Sequence, residues 1–248
     1  MNKKIFLFSL AAIVYVAFLF AIVTVFFDQA ILLRKHTFYR ANVHGKVIAL
    51  TFDDGPSNEW TPQILDALKE AKVKATFFAL GEHVARYPEI ARRVIREGHE
   101  IGNHSYNHHA LIFYKTGELK KEIKDCEKAV QDATGITTRY FRPPKAWLNE
   151  TEKKIINSMG YVVVLWSLNS KDWVTFDDRY IVRFIVKNVR PGDIILFHDS
   201  GGVFGVDGGD RNETVKTLPD LINKLQGMGY KFLTISELLQ SNETHEGK

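Results

Sequence analysis

Cysteine is nearly absent: the 248 residues contain one, Cys126. That excludes an intramolecular disulfide framework and any CxxC metal or redox site. An excess of one charge is missing too, with Lys+Arg 33 against Asp+Glu 29 and a net charge of +4. A nucleic-acid footprint needs basic residues gathered on one face, and nothing in this balance supplies one. No GxGxxG follows the first candidate strand, so dinucleotide binding has no support. Charged residues at 25% and hydrophobic ones at 45% exclude global disorder.

One long apolar run is present. Residues 5–27, IFLFSLAAIVYVAFLFAIVTVFF, carry no charge. The run matches the roughly 20 apolar residues that cross a hydrocarbon core of about 30 Å. It is longer than the apolar stretch of a cleaved export signal, and no A-x-A site follows it. We therefore expect residues 1–30 to form a cytoplasmic tip and an uncleaved transmembrane anchor. Lys3 and Lys4 precede the run, and Arg34, Lys35 and Arg40 follow it. Basic residues alone favour the opposite orientation, but long domains translocate largely regardless of flanking charge. The expected topology is single-pass in the cell membrane, with the remainder extracellular. Residues 31–45 read as a stalk, 46–240 as one catalytic domain and 241–248 as a polar tail.

From Lys46 onward strand and helix patterns alternate. VIALTF (47–52), KATFFAL (74–80), EIGNH (100–104), RYFRPP (139–144), YVVVLWSL (161–168) and DIILFHD (193–199) read as strands. Helical spacing covers 61–71, 88–97, 118–133, 150–159, 179–189, 214–228 and 235–240. Alternation of this kind implies βαβ units and a mainly parallel sheet. Six or seven units fall short of the eight-fold barrel, which typically needs about 250 residues. An α/β fold forming a distorted or incomplete (β/α)7 barrel is expected, with a doubly wound open sheet as the alternative.

The strands end in unusual polar residues, and in parallel α/β folds active sites gather at strand ends. The first ends in Asp53-Asp54, followed by Gly-Pro. Such a pair forms an Asx-type turn, or it divides two tasks, one carboxylate holding a cation while the other takes a proton. The third ends in His104, with His108 four residues on, a spacing that puts both rings on one face of a helical turn. Asp54 is the natural third ligand, and two histidines plus one carboxylate leave coordination positions open for a reacting group. Asp53 is then the candidate base. His198, at the end of the sixth strand beside Asp199, is the candidate acid, since its ordinary pKa near 6.5 suits proton delivery at neutral pH. Prolines 143 and 144 carry no N–H, so Lys145 offers the first backbone donor for an oxyanion. Arg142 and Asp172 are candidates to orient the base and tune the acid. The plainer alternatives are a surface charge for Arg142, a turn residue for Asp172 and a core histidine for His198.

The ordered set TFDDGP (51–56), HSYNH (104–108), RPP (142–144), DW (172–173) and LFH (196–198) closely resembles the polysaccharide deacetylases, carbohydrate esterase family 4, with their NodB-homology domain. The resemblance covers roughly residues 44–240. It implies a distorted (β/α)7 barrel and removal of acetyl groups from chitin-like sugars or peptidoglycan. The implied cofactor is one divalent metal ion, with Zn2+ ahead of Co2+, Ni2+ or Mn2+. It also implies Asp53 as base, Asp54, His104 and His108 as metal ligands, and Arg142 as the residue positioning the base. Asp172 tunes the acid His198 on this pattern, and Pro144, Trp173 and Leu196 line the substrate pocket. Two departures stand out. Lys145-Ala146 replaces the family's aromatic and glycine after Arg-x-Pro, and Asn169 replaces a frequent aspartate. The expected partners are an N-acetylated polysaccharide, peptidoglycan foremost, and the membrane, with no nucleic acid and no obligate protein partner. A catalytically silent glycan-binding protein and a hydrolase of a small non-glycan amide are the other readings.

Overall fold

Alternation along the first strand divides the core into two layers. In the computed structural model of the chain, which describes residues 8–10, 12–16, 30–175, 177–201 and 209–246, β1 spans Val47–Asp53. Ile48, Leu50 and Phe52 point outward, where they pack with Ile64, Leu65 and Leu68 of α1 (Trp60–Glu70) and with other helices. Ala49 belongs to an inner cluster with Phe78, Leu196 and Trp166. Successive strand residues face opposite ways, so Thr51 and Asp53 share the inner face with Ala49. Truncating Phe52, buried between Phe77 and Phe197, would cost about 3–5 kcal/mol.

The remaining strands are β2 (Thr76–Ala79), β3 (Glu100–Asn103), β4 (Tyr140–Phe141), β5 (Val162–Val163), β6 (Leu168–Asn169), β7 (Ile194–His198) and β8 (Lys231–Phe232). All pair in parallel. The order is β5-β4-β3-β2-β1-β7-β6, with β8 on the first residues of β1. A flat seven-strand sheet would set its edge strands about 29 Å apart at the usual spacing of about 4.8 Å. The edges here are β5 and β6, joined by residues 164–167 alone. Val163 to Leu168 can span at most about 18 Å. The sheet must therefore curl until its edges approach, and it forms a parallel α/β half-barrel consistent with a (β/α)7 barrel. Phe38 and Arg40 bridge the gap, the first to Val164 and the second to Asp193.

Several expectations need correction. The run 161–168 is not one strand: it supplies β5 and β6, with an unpaired break between them. A helix over Gly81–Arg86 (α2) has no counterpart in the sequence reading. Ile235–Glu246 is helical (α8), so helix continues through most of the expected polar tail. Part of the expected stalk pairs with the sheet through Phe38 and Arg40. Ala30–Leu33 forms a single helical turn, and the remaining longer helices are α3 (Pro88–Arg96), α4 (Thr116–Thr134), α5 (Glu150–Ser158), α6 (Asp178–Asn188) and α7 (Asn212–Gly227). Cys126 is buried on α4, where its thiol donates to the Ala79 carbonyl and burial pushes its pKa up to about 12. Of the apolar run 5–27, residues 8–10 and 12–16 are helical and the rest lies outside the described residues. Among the described residues no helix is long and apolar enough to cross a membrane.

Candidate active site

Asp53 closes β1 on the inner face, and Asp54 then leaves the strand with φ +78°. Aspartate tolerates this left-handed conformation better than most residues. The turn lets two adjacent carboxylates enter one site from different directions. Gly55 follows because a Cβ there would fall 2.0 Å from the Asp199 carboxylate, which accepts from the Gly55 N–H at 3.0 Å and from the Thr61 hydroxyl at 2.7 Å. Burial, with Asp54 and Asp53 nearby, pushes Asp199 up to about 7.

The two histidines do not share a helical turn, contrary to expectation. Residues 104–108 form a loop in which Ser105 (φ +70°) and His108 (φ +61°) are left-handed. The loop is fixed by its neighbours. The Asn103 side chain accepts from the Ser105 N–H at 2.9 Å, Ser105 Oγ accepts from the His108 N–H at 3.2 Å, and Glu122 on α4 accepts from the N–H groups of Tyr106 and Asn107 at 3.0 and 3.3 Å. The ring centroids of His104 and His108 come to 5.2 Å. Their Nε2 atoms lie 3.3 and 3.2 Å from Asp54 Oδ1, and the three donor atoms all fall within 4.8 Å of one another.

This donor set fits a divalent cation. Asp54 Oδ1 is buried and receives no hydrogen bond. His104 Nδ1–H donates to the Arg142 carbonyl at 2.7 Å, leaving Nε2 with its lone pair toward Asp54. A carboxylate oxygen and an imidazole lone pair converging without a proton call for a positive ion, and two nitrogens with one oxygen suit zinc and its neighbours. The backbone carbonyl behind His104 is the usual outer support of such a ligand. Burial alone would raise the Asp54 carboxyl, but positive charge gathered beside it, which His108 and His104 supply when protonated, holds it well below the usual carboxylate range.

Arg142 is wholly buried, its guanidinium carbon 4.0 Å from the Phe78 ring centroid. It donates to Asp53 Oδ1 at 2.7 Å and to Thr51 Oγ1 at 2.8 Å, two of the inward residues of β1. Asp53 Oδ2 is left facing the ligands, 3.9 Å from His104 Nε2. At the end of the neighbouring strand β7, His198 Nδ1–H donates to Asp172 Oδ1 at 2.8 Å. Asp172 also accepts from the His198 N–H, Thr214 Oγ1 and Ser170 Oγ at 2.8, 2.7 and 3.0 Å. Burial works against the His198 imidazolium, yet the Asp172 carboxylate outweighs it and holds His198 above the usual histidine range. Asp172 itself is held low: burial raises it, and His198 and Arg211 overcome that.

Lys145 lies in a short turn over Pro144–Ala146 with φ +58°, followed by Ala146 at +59°. No hydrogen bond among the described residues uses its N–H. Its exposed ammonium sits 5.6 Å from the Trp147 ring centroid. Burial and, more weakly, this ammonium work against the neighbouring His108 imidazolium, but the Asp54 carboxylate outweighs them and His108 is held above the usual histidine range. Pro144 is buried, and Leu196 faces inward with Ala146 and Trp166. Trp173 is half-buried beside Asp172, and no hydrogen bond or ring contact joins it to the ligand set among the described residues.

Sequence reasoning missed Thr51, Glu122, Ser170, Arg211 and Thr214. Thr51 was findable, since it stands two before Asp53 and must share its face. Arg211 reaches back to the Ser200 and Gly201 carbonyls at 2.8 and 2.5 Å. Gly201, at φ +72°, passes so close to Asp54 that a Cβ would meet Oδ2 at 2.3 Å.

A free carboxylate oxygen on one side of a cation-fitting cluster, and a carboxylate-tuned imidazole on the other, suit hydrolysis of an acyl bond. Residues 40–164 match the family described as polysaccharide deacetylase, and the chain belongs to it. It is a hydrolase of the deacetylase class, acting on carbon–nitrogen bonds. A peptidoglycan-N-acetylglucosamine deacetylase of Bacillus cereus is 40% identical over 197 residues, 79% of this chain and 89% of that protein. Peptidoglycan-N-acetylmuramic acid deacetylase PdaC of Bacillus subtilis is 36% identical over 203 residues, 82% of this chain but 41% of that protein. The crystal structure of the Bc1960 peptidoglycan N-acetylglucosamine deacetylase with a bound N-oxidanyl-benzamide superposes with a TM-score of 0.76 at 34% identity, covering 81% of this chain and 91% of that one.

Proposed function

We propose that the chain is a metal-dependent N-deacetylase of peptidoglycan that releases acetate from an N-acetylated amino sugar. The observation that carries this reading is the convergence of Asp54, His104 and His108 on one point, with Asp53 Oδ2 and the His198–Asp172 pair on either side. Asp54, His104 and His108 would hold one divalent cation, Zn2+ foremost. When bound, that ion supplies Lewis acidity, which lowers the pKa of water and polarises the acetyl carbonyl.

Asp53 Oδ2 takes the proton of the attacking water while Arg142 holds Oδ1 and fixes the direction of the free oxygen. The Lys145 N–H donates to the oxygen that becomes negative as the carbonyl carbon turns tetrahedral. His198, kept protonated by Asp172, gives its proton to the departing sugar nitrogen, and acetate leaves. Leu196, Pro144 and Trp173 form the wall against which the acetyl group and sugar rest. Asp172 acts through His198, as a positioning residue.

Peptidoglycan is favoured over neutral chitin for two reasons. The similar proteins named above act on peptidoglycan. The Lys145 ammonium at the rim also suits the lactyl and stem-peptide carboxylates of that polymer. The uncharged run 5–27 supports an anchor in the cell membrane, with residues 46–240 as the catalytic domain on the outer side. The deciding experiment is acetate release from purified peptidoglycan and from chitin oligomers, with added Zn2+ and with chelator. Release from peptidoglycan that chelation stops and Zn2+ restores is the expected result. Release from chitin oligomers alone would overturn the substrate, and release insensitive to chelation would overturn the metal.

A further inference from the structure

Residues 164–167, the link that joins the two edges of the sheet, have carbonyl groups without strand partners, and buried carbonyls need donors. Two arginines supply them in sequence. Arg142, from inside the barrel, donates through Nε to Val164 O at 3.4 Å and through a terminal nitrogen to Leu165 O at 3.3 Å. Arg34, from the segment ahead of β1, donates to the next two, Trp166 O at 3.0 Å and Ser167 O at 3.2 Å. Arg142 is the residue whose other terminal nitrogen holds Asp53.

The segment carrying Arg34 is itself fastened. Lys153 on α5, only 3% exposed, donates to the carbonyls on either side of Arg34, Leu33 O at 2.9 Å and Lys35 O at 2.8 Å. The Arg34 guanidinium lies 4.8 Å from the Tyr39 ring centroid. Phe38 then pairs with the same link from the same side, its N–H to Val163 O at 2.8 Å and its carbonyl to the Leu165 N–H at 2.9 Å. The link is clamped by Arg34 and Phe38 from the segment ahead of β1 and by Arg142 from the end of β4.

From this we infer that Arg34 is a positioning residue for the deacetylation proposed above: through the 164–167 link it sets the seat of Arg142, and thereby the direction of Asp53. The Trp166 and Leu165 carbonyls belong to adjoining peptide planes, so releasing the first lets the second rotate. Arg142 then loses a fixed acceptor on the side opposite Asp53. The stretch between the apolar run and the first strand is thus part of the catalytic scaffold.

The test uses the full chain in detergent micelles with Arg34→Gln and Arg34→Lys. Arg34→Gln should lower kcat on peptidoglycan about 10- to 100-fold while KM stays within about twofold, the pattern of a misplaced catalytic group. Bound metal should stay at the wild-type level. In arginine-labelled protein, NMR should show faster hydrogen exchange at Arg142 Nε–H. Arg34→Lys should recover part of the loss, because an ammonium reaches the carbonyls without the planar fork. Placed on Arg142→Lys, Arg34→Gln should cost little more, since both act on one path. Wild-type kcat with unchanged Arg142 exchange, or losses that simply add in the double variant, would overturn the inference. Should Arg34→Gln fail to fold, Arg34→Lys carries the same readings with a smaller loss. A wild-type chain that releases no acetate would instead defeat the deacetylase reading, and Arg142 exchange would still decide the role of Arg34.

Discussion

Asp53 and His198 are register partners: β1 and β7 pair in parallel, and their last rung joins these two residues. Neighbouring strands stand about 4.8 Å apart, so the proton acceptor and the proton donor of the proposed reaction flank one narrow space. Asp53 alternates inward with Thr51 and Ala49, and His198 with Leu196 and Ile194. Strand pairing therefore sets the separation of acid and base, and loops deliver the metal ligands to them.

Asp53→Asn should abolish acetate release and leave the cation bound, because the amide keeps the shape and the Arg142 contact but accepts no proton. Elemental analysis alongside turnover checks this. Loss of metal in this variant would mean that the roles of Asp53 and Asp54 are exchanged.

His104→Ala should reduce bound metal well below one ion per chain. Glu122→Gln should weaken it less, since the amide oxygen still accepts from the Tyr106 and Asn107 N–H groups. Outer supports of metal ligands typically contribute 10- to 100-fold in affinity. Titration with Zn2+ against a competing chelator orders the two variants.

Asp172→Asn should move the alkaline limb of the kcat profile to lower pH. The carboxylate holds His198 above the usual histidine range, so removing it releases the proton earlier as pH rises. A profile with an unmoved alkaline limb would separate that limb from His198.

Lys145 occupies a left-handed position, where a non-glycine residue carries about 1–2 kcal/mol of strain. Lys145→Gly should keep kcat, retain the N–H and stabilise the fold by a fraction of that strain. Lys145→Met should also keep kcat and raise KM severalfold at most on an anionic glycan, since exposed ion pairs contribute about 0.2–1 kcal/mol and salt screens them. Proline is a poor probe here, because its ring fixes φ near −65° and would break the turn as well as delete the donor.

His99 offers a pH test away from the site. It is buried, its Nδ1 accepts from the Ala75 N–H at 3.2 Å, and burial lowers its pKa to about 4. The folded chain then binds fewer protons at this position than the unfolded chain between about pH 4 and 6.5, so stability falls as pH drops through that window. Urea unfolding should show a loss at His99 on the order of 3 kcal/mol when complete. His99→Gln should flatten the acid slope.

The sequence made the polar rim legible because several strands end in residues too unusual for plain turns. Asp53, Asp54, His104, His108, Arg142, Asp172 and His198 all gather at one end of the sheet. Their supports were hidden for a common reason. Thr214 lies 42 residues from Asp172 and Glu122 lies 16 from Tyr106, and no local spacing encodes such pairings. The strand over 161–168 was misread because a continuous apolar run does not reveal where pairing stops. Residues 164 to 166 are buried there by inward packing and held by arginines. The helical spacing of His104 and His108 was misleading too, since a loop with two left-handed residues brings their rings together.

Cys126 gives the protein a silent thiol. Sealed on α4 with a pKa near 12, it offers almost no thiolate to oxidants, disulfides or alkylating agents while the helix stays packed. Two native chains have no route to a cross-link through it. Labelling at this position then counts opening events: a maleimide reacts only as fast as α4 lifts from the barrel, which makes a single residue a clock for the stability of the surrounding structure.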